Sequence, residues 1–269
     1  MSNTFDFVMT EHPAWLPTPA GRQRVFTMHD GTRSLVTTHA GHLTVVQLHG
    51  GTTTPRADVF SFPEGLLDHT PELATAVRTL GRVTRFRNEN LWDAIATAII
   101  RQVIRAGQSK KLYRAFCEAY GERIELPNGV IYPLFPASET VLRLNDAAFS
   151  AIGMAFKRQP LRAAAEAFLE LGGEWRQMPP AILVNELQRI RRVGAWTAGA
   201  ATADWSNNWA LYPYSDLAVR TWARRAAPSF SWPTDEPAFG YVWRALAGDD
   251  LSPLTLLTLA WGSQHGDIG

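Results

Sequence analysis

Histidine, cysteine and lysine, the usual bases and nucleophiles of active sites, are nearly missing from most of this 269-residue chain. All seven histidines fall in the first 69 positions or at His265, Cys117 stands alone, and the lysines are Lys110, Lys111 and Lys157. Over the long stretch without histidine this excludes a Ser-His-Asp triad, a Cys-His dyad and a histidine metal site. A single cysteine excludes an internal disulfide, a cysteine zinc site and a four-cysteine iron–sulfur cluster. The remaining cations are arginines, which stay protonated and cannot serve as amine nucleophiles. Carboxylates, hydroxyls, aromatics and backbone amides are left. An enzyme built on this chain is expected to work through an Asp or Glu, with no metal and no cofactor.

Two segments gather such groups. In 187–198, Leu-Gln-Arg-Ile-Arg-Arg-Val-Gly-Ala-Trp-Thr-Ala, one helix is expected to end near Ile190 and another to begin near Ala195. So short a connection makes a tight hairpin whose amides, at the start of the second helix, point outward together. Helix N-termini carry unpaired N–H groups and a positive dipole end, so these amides suit a phosphate oxygen, and Gly194 lets a ligand backbone come close. An ordinary packing unit of two helices fits the same segment. Twenty-two positions after Gly194, Asp216 opens a further helix. An Asp there is either an N-cap or a carboxylate that the helix dipole keeps ionised for chemistry.

The elements that position these groups change character along the chain. Strands are expected at 4–9, 24–28, 34–38 and 42–48, with Asp30-Gly31 and Ala40-Gly41 at hairpin turns. His39, His42 and His49 fall in this antiparallel sheet at spacings that fit no common metal motif, so they read as ordinary strand and turn residues. A Gly/Thr/Pro loop at 50–55 follows. Beyond about residue 70 the period turns helical, with Asn90 capping a helix over 91–104 and further helices at 109–120, 139–144, 160–171, 180–190, 195–205, 217–226, 236–247 and 253–261. The expected fold is mainly α: a small antiparallel β-sheet N-terminal domain at 1–70, then a helical body at 71–269 with a helix-hairpin-helix at about 180–205.

The hairpin with Asp216 at this distance resembles the helix-hairpin-helix DNA glycosylase superfamily. Trp196-Thr197-Ala198 after the hairpin is most similar to the 3-methyladenine DNA glycosylase II branch, which removes alkylated bases. The resemblance implies Asp216 as catalytic residue. Lyase-competent branches, the 8-oxoguanine glycosylases among them, carry a lysine nucleophile where this chain has Trp196, so the resemblance implies a monofunctional enzyme. Ala98-Ile99-Ile100-Arg101-Gln102-Val103 resembles the family's Ala-Ile-x-x-Gln segment, which implies that Gln102 and Val103 meet DNA, with Val103 wedged into the duplex; the last core residue of a helix would look the same. Gly153-Met154-Ala155-Phe156-Lys157 resembles a further landmark, a glycine shortly before a lysine that opens a helix. The likeness spans roughly 91–261.

Arg192 stands where the family's hairpin carries its first glycine, and with Val193, Gly194 and Trp196 it completes the implied DNA-binding set. The family's C-terminal pocket Trp has no counterpart near 251–253, and Ala200 is small one turn after Trp196, which implies a more open base pocket formed with Trp196 and Tyr214.

Charge points to the same segments. The totals, 26 Lys+Arg against 25 Asp+Glu, leave a formal charge of +1 and announce no partner. Yet 94–117 holds five cations and no acid, 187–203 holds three arginines and no acid, and 217–234 again holds three. These windows contain the expected wedge, hairpin and Asp216 helix, and phosphate contacts need such local patches. Surface arginines on helices are also common for solubility alone. Seven of the ten tryptophans follow residue 190; most are expected in the core, with Trp196 and Tyr214 best placed to stack on an extruded base. No apolar run approaches a membrane span and no signal peptide is apparent, so a soluble, cytoplasmic monomer acting on double-stranded DNA with a damaged base is expected.

Overall fold

The computed structural model describes residues 7–39, 42–66 and 70–266. In chain order the strands and helices are β1 (Phe7–Val8), β2 (Leu16–Thr18), β3 (Gly21–Thr27), β4 (Arg33–His39), β5 (His42–His49), β6 (Ala57–Phe60), α1 (Pro71–Arg78), β7 (Val83–Phe86), α2 (Leu91–Arg101), α3 (Ala106–Tyr120), β8 (Arg123–Glu125) and β9 (Ile131–Pro133). Helices then follow without interruption by strands: α4 (Ser138–Arg143), α5 (Asp146–Ala151), α6 (Arg158–Trp175), α7 (Pro180–Leu187), α8 (Ala195–Ser206), α9 (Leu217–Ala226), α10 (Glu236–Ala247) and α11 (Leu251–His265).

Strands β2-β3-β4-β5 form an antiparallel meander, with Val36 opposite both Arg24 and Val45. Its β3–β4 hairpin turns at Gly31, whose φ of +81° suits a residue without a Cβ. Ala40-Gly41 lies outside the described residues. The sheet differs from expectation in two respects: its first strand, β2, is not among the expected ones, and the described part of the 4–9 segment does not join the meander. Residues Phe7 and Val8 pair instead in parallel with β7, which is also antiparallel to β6. All four residues of β7 are buried, Arg85 among them. A cation at the centre of a strand hides the strand signal, and the pairing makes sense only with Arg85's distant partners in view.

Those partners lie on the helical body. Arg85 donates to Asp204 of α8 and, at 2.7 Å, to Glu11. Asn88 bridges Asp204 at 2.8 Å and Asp93 of α2 at 3.1 Å, and Tyr113 donates to Asp93 at 2.8 Å. Arg24 of β3 approaches Asp93 at 3.5 Å, and Arg87 holds Asp58 at 2.7 Å. Asn207, in the left-handed conformation that asparagine tolerates after a helix, ties Asp58 to the Arg85 carbonyl. Sheet and body thus meet over a buried polar seam in which each charge is answered. Burial first, then Arg24, pushes His12 at its centre well below the usual imidazole range.

Helix α2 forms the hub of the body. Its Leu91–Ile100 run is buried on every side, as expected of a helix enclosed by others, here α3, α6 and α8. Asn90 caps it by accepting from the Asp93 amide at 3.2 Å. The helix stops at Arg101, three residues short of the expected end, because Val103 turns to φ +60°.

Candidate active site

The end of α2, the start of α8 and the start of α9 converge on a cleft of about 990 Å³. Val103, Gln102, Arg192, Trp196 and Asp216 all line it. Residues more than a hundred positions apart in the chain are therefore brought to one surface.

Asp216 occupies the N-cap position of α9, but its side chain accepts no cap hydrogen bond from that helix. It accepts instead from the Tyr212 hydroxyl at 3.0 Å. Tyr212 is buried, its ring 5.2 Å from that of Trp209. Burial pushes its hydroxyl well above the usual phenol range, Arg101 opposing and Asp216 reinforcing, so it stays protonated and donates. The carboxylate is thus half-buried, oriented by one fixed donor and not spent on capping. Asp216 is the sole acid among the described residues that line the cleft, whereas Arg101, Arg105, Arg192 and Arg225 all do.

Hairpin residues Arg192 to Gly194 link α7 to α8. Val193 is buried and anchors the turn in the core, its amide donating to the Ile190 carbonyl at 3.0 Å. Gly194 begins α8 without a side-chain cap, so the first amides of the helix have no acceptor within it. A Cβ at Gly194 would meet nothing within 4 Å, and its φ is negative. Glycine there serves open access rather than an unusual backbone. The unusual backbone is at Arg192, whose φ of +67° is the conformation that glycine adopts freely. Val103 is stranger still: fully exposed, β-branched and left-handed. Among the described residues three non-glycine positions have positive φ; one is Asn207, and the other two line the cleft. Such strain costs about 1–3 kcal/mol per residue and concentrates at functional sites. An exposed Val103 outside its helix is no core residue.

Several expected residues are placed otherwise. Gln102 is occupied by the protein itself, its amide donating to the Arg192 carbonyl at 3.1 Å and the Thr197 hydroxyl at 2.7 Å. Ala200 is buried, because the segment of α8 from Thr197 to Asp204 packs inward, much of it against α2, so it does not open the pocket. Tyr214 packs partly buried against the core on the side of Gly240 and does not line the cleft. Trp222 of α9 lines it instead, with Leu217 exposed at its edge. A Cβ at Gly262 or Gly266 would overlap the Trp222 ring, so a glycine in the last helix and the one that ends it make room for it. Two glycines four positions apart do not name the ring they accommodate, so the sequence alone does not single out Trp222. Trp196 does line the cleft, with the Arg101 guanidinium 5.9 Å from its ring centroid.

No family model and no curated protein matches the chain. Solved structures do. A 3-methyladenine DNA glycosylase from Archaeoglobus fulgidus superposes with a TM-score of 0.71 at 15% identity, over 96% of this chain and 92% of that one. The Clostridium acetobutylicum 8-oxoguanine glycosylase/lyase, bound to double-stranded DNA with cytosine opposite 8-oxoguanine, gives 0.68 at 14% identity over 95% and 89%. A DNA-3-methyladenine glycosidase from Bacillus halodurans gives 0.54 at 17% identity over 78% and 95%. At such identities the likeness is one of architecture. The chain has the fold of the helix-hairpin-helix DNA glycosylases.

Proposed function

We propose that the protein is a monofunctional DNA glycosylase that extrudes and removes alkylated purines. One observation carries this reading: Asp216 is a carboxylate freed from capping, oriented by Tyr212, and set in an arginine-lined cleft. The amides that open α8 would hold a phosphate, and Val103 would enter the base stack while the damaged base swings into the cleft. As the C1′–N bond breaks, its electron pair leaves with the base and positive charge develops on the sugar. The Asp216 carboxylate would stabilise that charge and take the proton of the water whose oxygen bonds to C1′. A cationic alkylated base departs neutral, without an acid to protonate it. Trp196, where lyase-competent relatives would carry lysine, supports cleavage by water rather than by a Schiff base.

A second substrate reading has its own observation. The Arg101 guanidinium lies over the Trp196 ring, on which a cationic base would stack, and favours a neutral base rich in acceptors, such as an oxidised purine.

The test is single-turnover excision across duplexes bearing alkylated and oxidised bases, for wild type and Asp216→Asn. We expect abasic-site release on at least one class, lowered about 10²- to 10³-fold in the variant, with lesion binding retained and no covalent adduct trapped by borohydride. Wild-type rates in a folded Asp216→Asn protein would remove Asp216 from the mechanism. Binding with no release on any lesion would instead mark a silent damage-recognition module.

A further inference from the structure

Lys157 is the cation for which the proposed mechanism has no use. It is buried, forms no salt bridge among the described residues, and donates from Nζ to the Gln102 carbonyl at 2.7 Å. Burial pushes its pKa down to about 8. A buried ammonium without a carboxylate works against folding unless its hydrogen bonds compensate. The bond it makes is well placed, since Gln102 ends α2 and its carbonyl belongs to the negative, unpaired end of that helix.

A plain helix cap would stop there, but Gln102 reaches in two directions. Its carbonyl is held by Lys157, while its side-chain amide holds the Arg192 carbonyl and the Thr197 hydroxyl. The two cleft residues with positive φ therefore flank a single glutamine. Val103 follows it in the chain, and Arg192 accepts from its amide. Left-handed valine and arginine persist only where their surroundings over-determine them, and this is where the surroundings do so.

We propose that Lys157 and Gln102 are positioning residues, a brace that locks the loop carrying Val103 to the hairpin carrying Arg192 and Gly194. The wedge and the phosphate grip then move as one rigid piece, and Val103 meets the base stack without first being ordered. Binding energy otherwise spent on ordering the loop goes into unstacking. This rests on the glycosylase reading and adds to it a device that this chain's own residues build.

The experiment compares Lys157→Met, Gln102→Leu and Val103→Gly. Fluorescence of 2-aminopurine beside the lesion reports unstacking, anisotropy reports duplex affinity, and single-turnover assays report excision. Lys157→Met and Gln102→Leu should keep duplex affinity within about threefold, yet lose most of the 2-aminopurine rise and about 10- to 100-fold of excision on well-paired lesions. The loss should shrink on mismatched lesions, and the double variant should be no worse than either single, since both act on one loop. Gln102→Leu keeps the question open to measurement if Lys157→Met misfolds, because Gln102 is only half-buried. Full unstacking in folded Lys157→Met and Gln102→Leu proteins, with unstacking lost only in Val103→Gly, would reduce the pair to a helix cap and overturn the proposal. A Val103→Gly protein that unstacks like wild type would overturn the wedge and the brace together. Unstacking is read without cleavage, so a protein that unstacks but never excises sinks the glycosylase reading alone.

Discussion

At the seam between sheet and body Arg24, Arg85 and Arg87 each reach a carboxylate, whereas in the cleft Arg101, Arg105, Arg192 and Arg225 reach none among the described residues. Both regions are arginine-rich, and only one is neutralised. A charge taken out of water must be paired or it works against the fold, so Arg85, buried under β7, has Glu11 and Asp204. An exposed charge needs no partner for stability. Three exposed arginines and the half-buried Arg101 around one concavity nevertheless repel each other and concentrate positive potential there. The formal charge of +1 is a total over the whole chain, in which the acids elsewhere offset the cleft's cations, which is why it says nothing about the ligand.

The comparison breaks first at Arg85. Replacing it with Met keeps its apolar stem but strands Asp204, Glu11 and Asn207, and stability should fall by about 3–5 kcal/mol, the usual result of removing one partner from a buried pair. Denaturant unfolding at neutral pH measures it. A loss below about 1 kcal/mol would mean that water reaches the seam and that the two arginine groups differ less than their burial implies.

The cleft half of this contrast was legible in the sequence and the seam half was not. All four cleft arginines come from acid-free windows: Arg101 and Arg105 from the first, Arg192 from the second and Arg225 from the third. Local charge patterning survives folding because exposed groups answer to solvent. The bounds of α9 and α10 and the Asn90 cap were readable for a similar reason, since helical period and capping are local. By contrast, β7 and its parallel pairing with β1 depend on Arg85 meeting Asp204, 119 positions away. Tyr212 as the partner of Asp216 was missed because a tyrosine four residues before an aspartate carries no signature. Ala200 was misplaced because spacing from Trp196 gives a helical turn but not which face of α8 lies against α2.

The contrast sharpens at Arg105, which is exposed and without a carboxylate partner among the described residues. Arg105→Met should leave stability within about 0.5 kcal/mol. Duplex affinity should nevertheless fall, and the slope of log K against log salt should become shallower by about 0.9, one phosphate contact fewer. Equilibrium binding at several salt concentrations reads the slope. An unchanged slope would take Arg105 out of the DNA-facing surface and leave its lack of a partner as a solubility feature.

Arg192 tests whether the cleft's strain is kept for its charge. Arg192 sits at φ +67°, and relieving a left-handed L-residue returns about 1–2 kcal/mol, while glycine gives back about 0.5–1 kcal/mol through the greater freedom of its unfolded chain. Arg192→Gly should therefore raise stability by about 0.5–1 kcal/mol, because the exposed side chain leaves no cavity. It should at the same time weaken duplex binding and flatten its salt dependence, as removal of a cation does. Stability and affinity moving in opposite directions would identify Arg192 as a residue whose charge is held in place against backbone preference. If the variant is more stable and binds DNA as tightly as wild type with the same salt slope, the guanidinium touches no phosphate, and the grip belongs to the α8 amides alone.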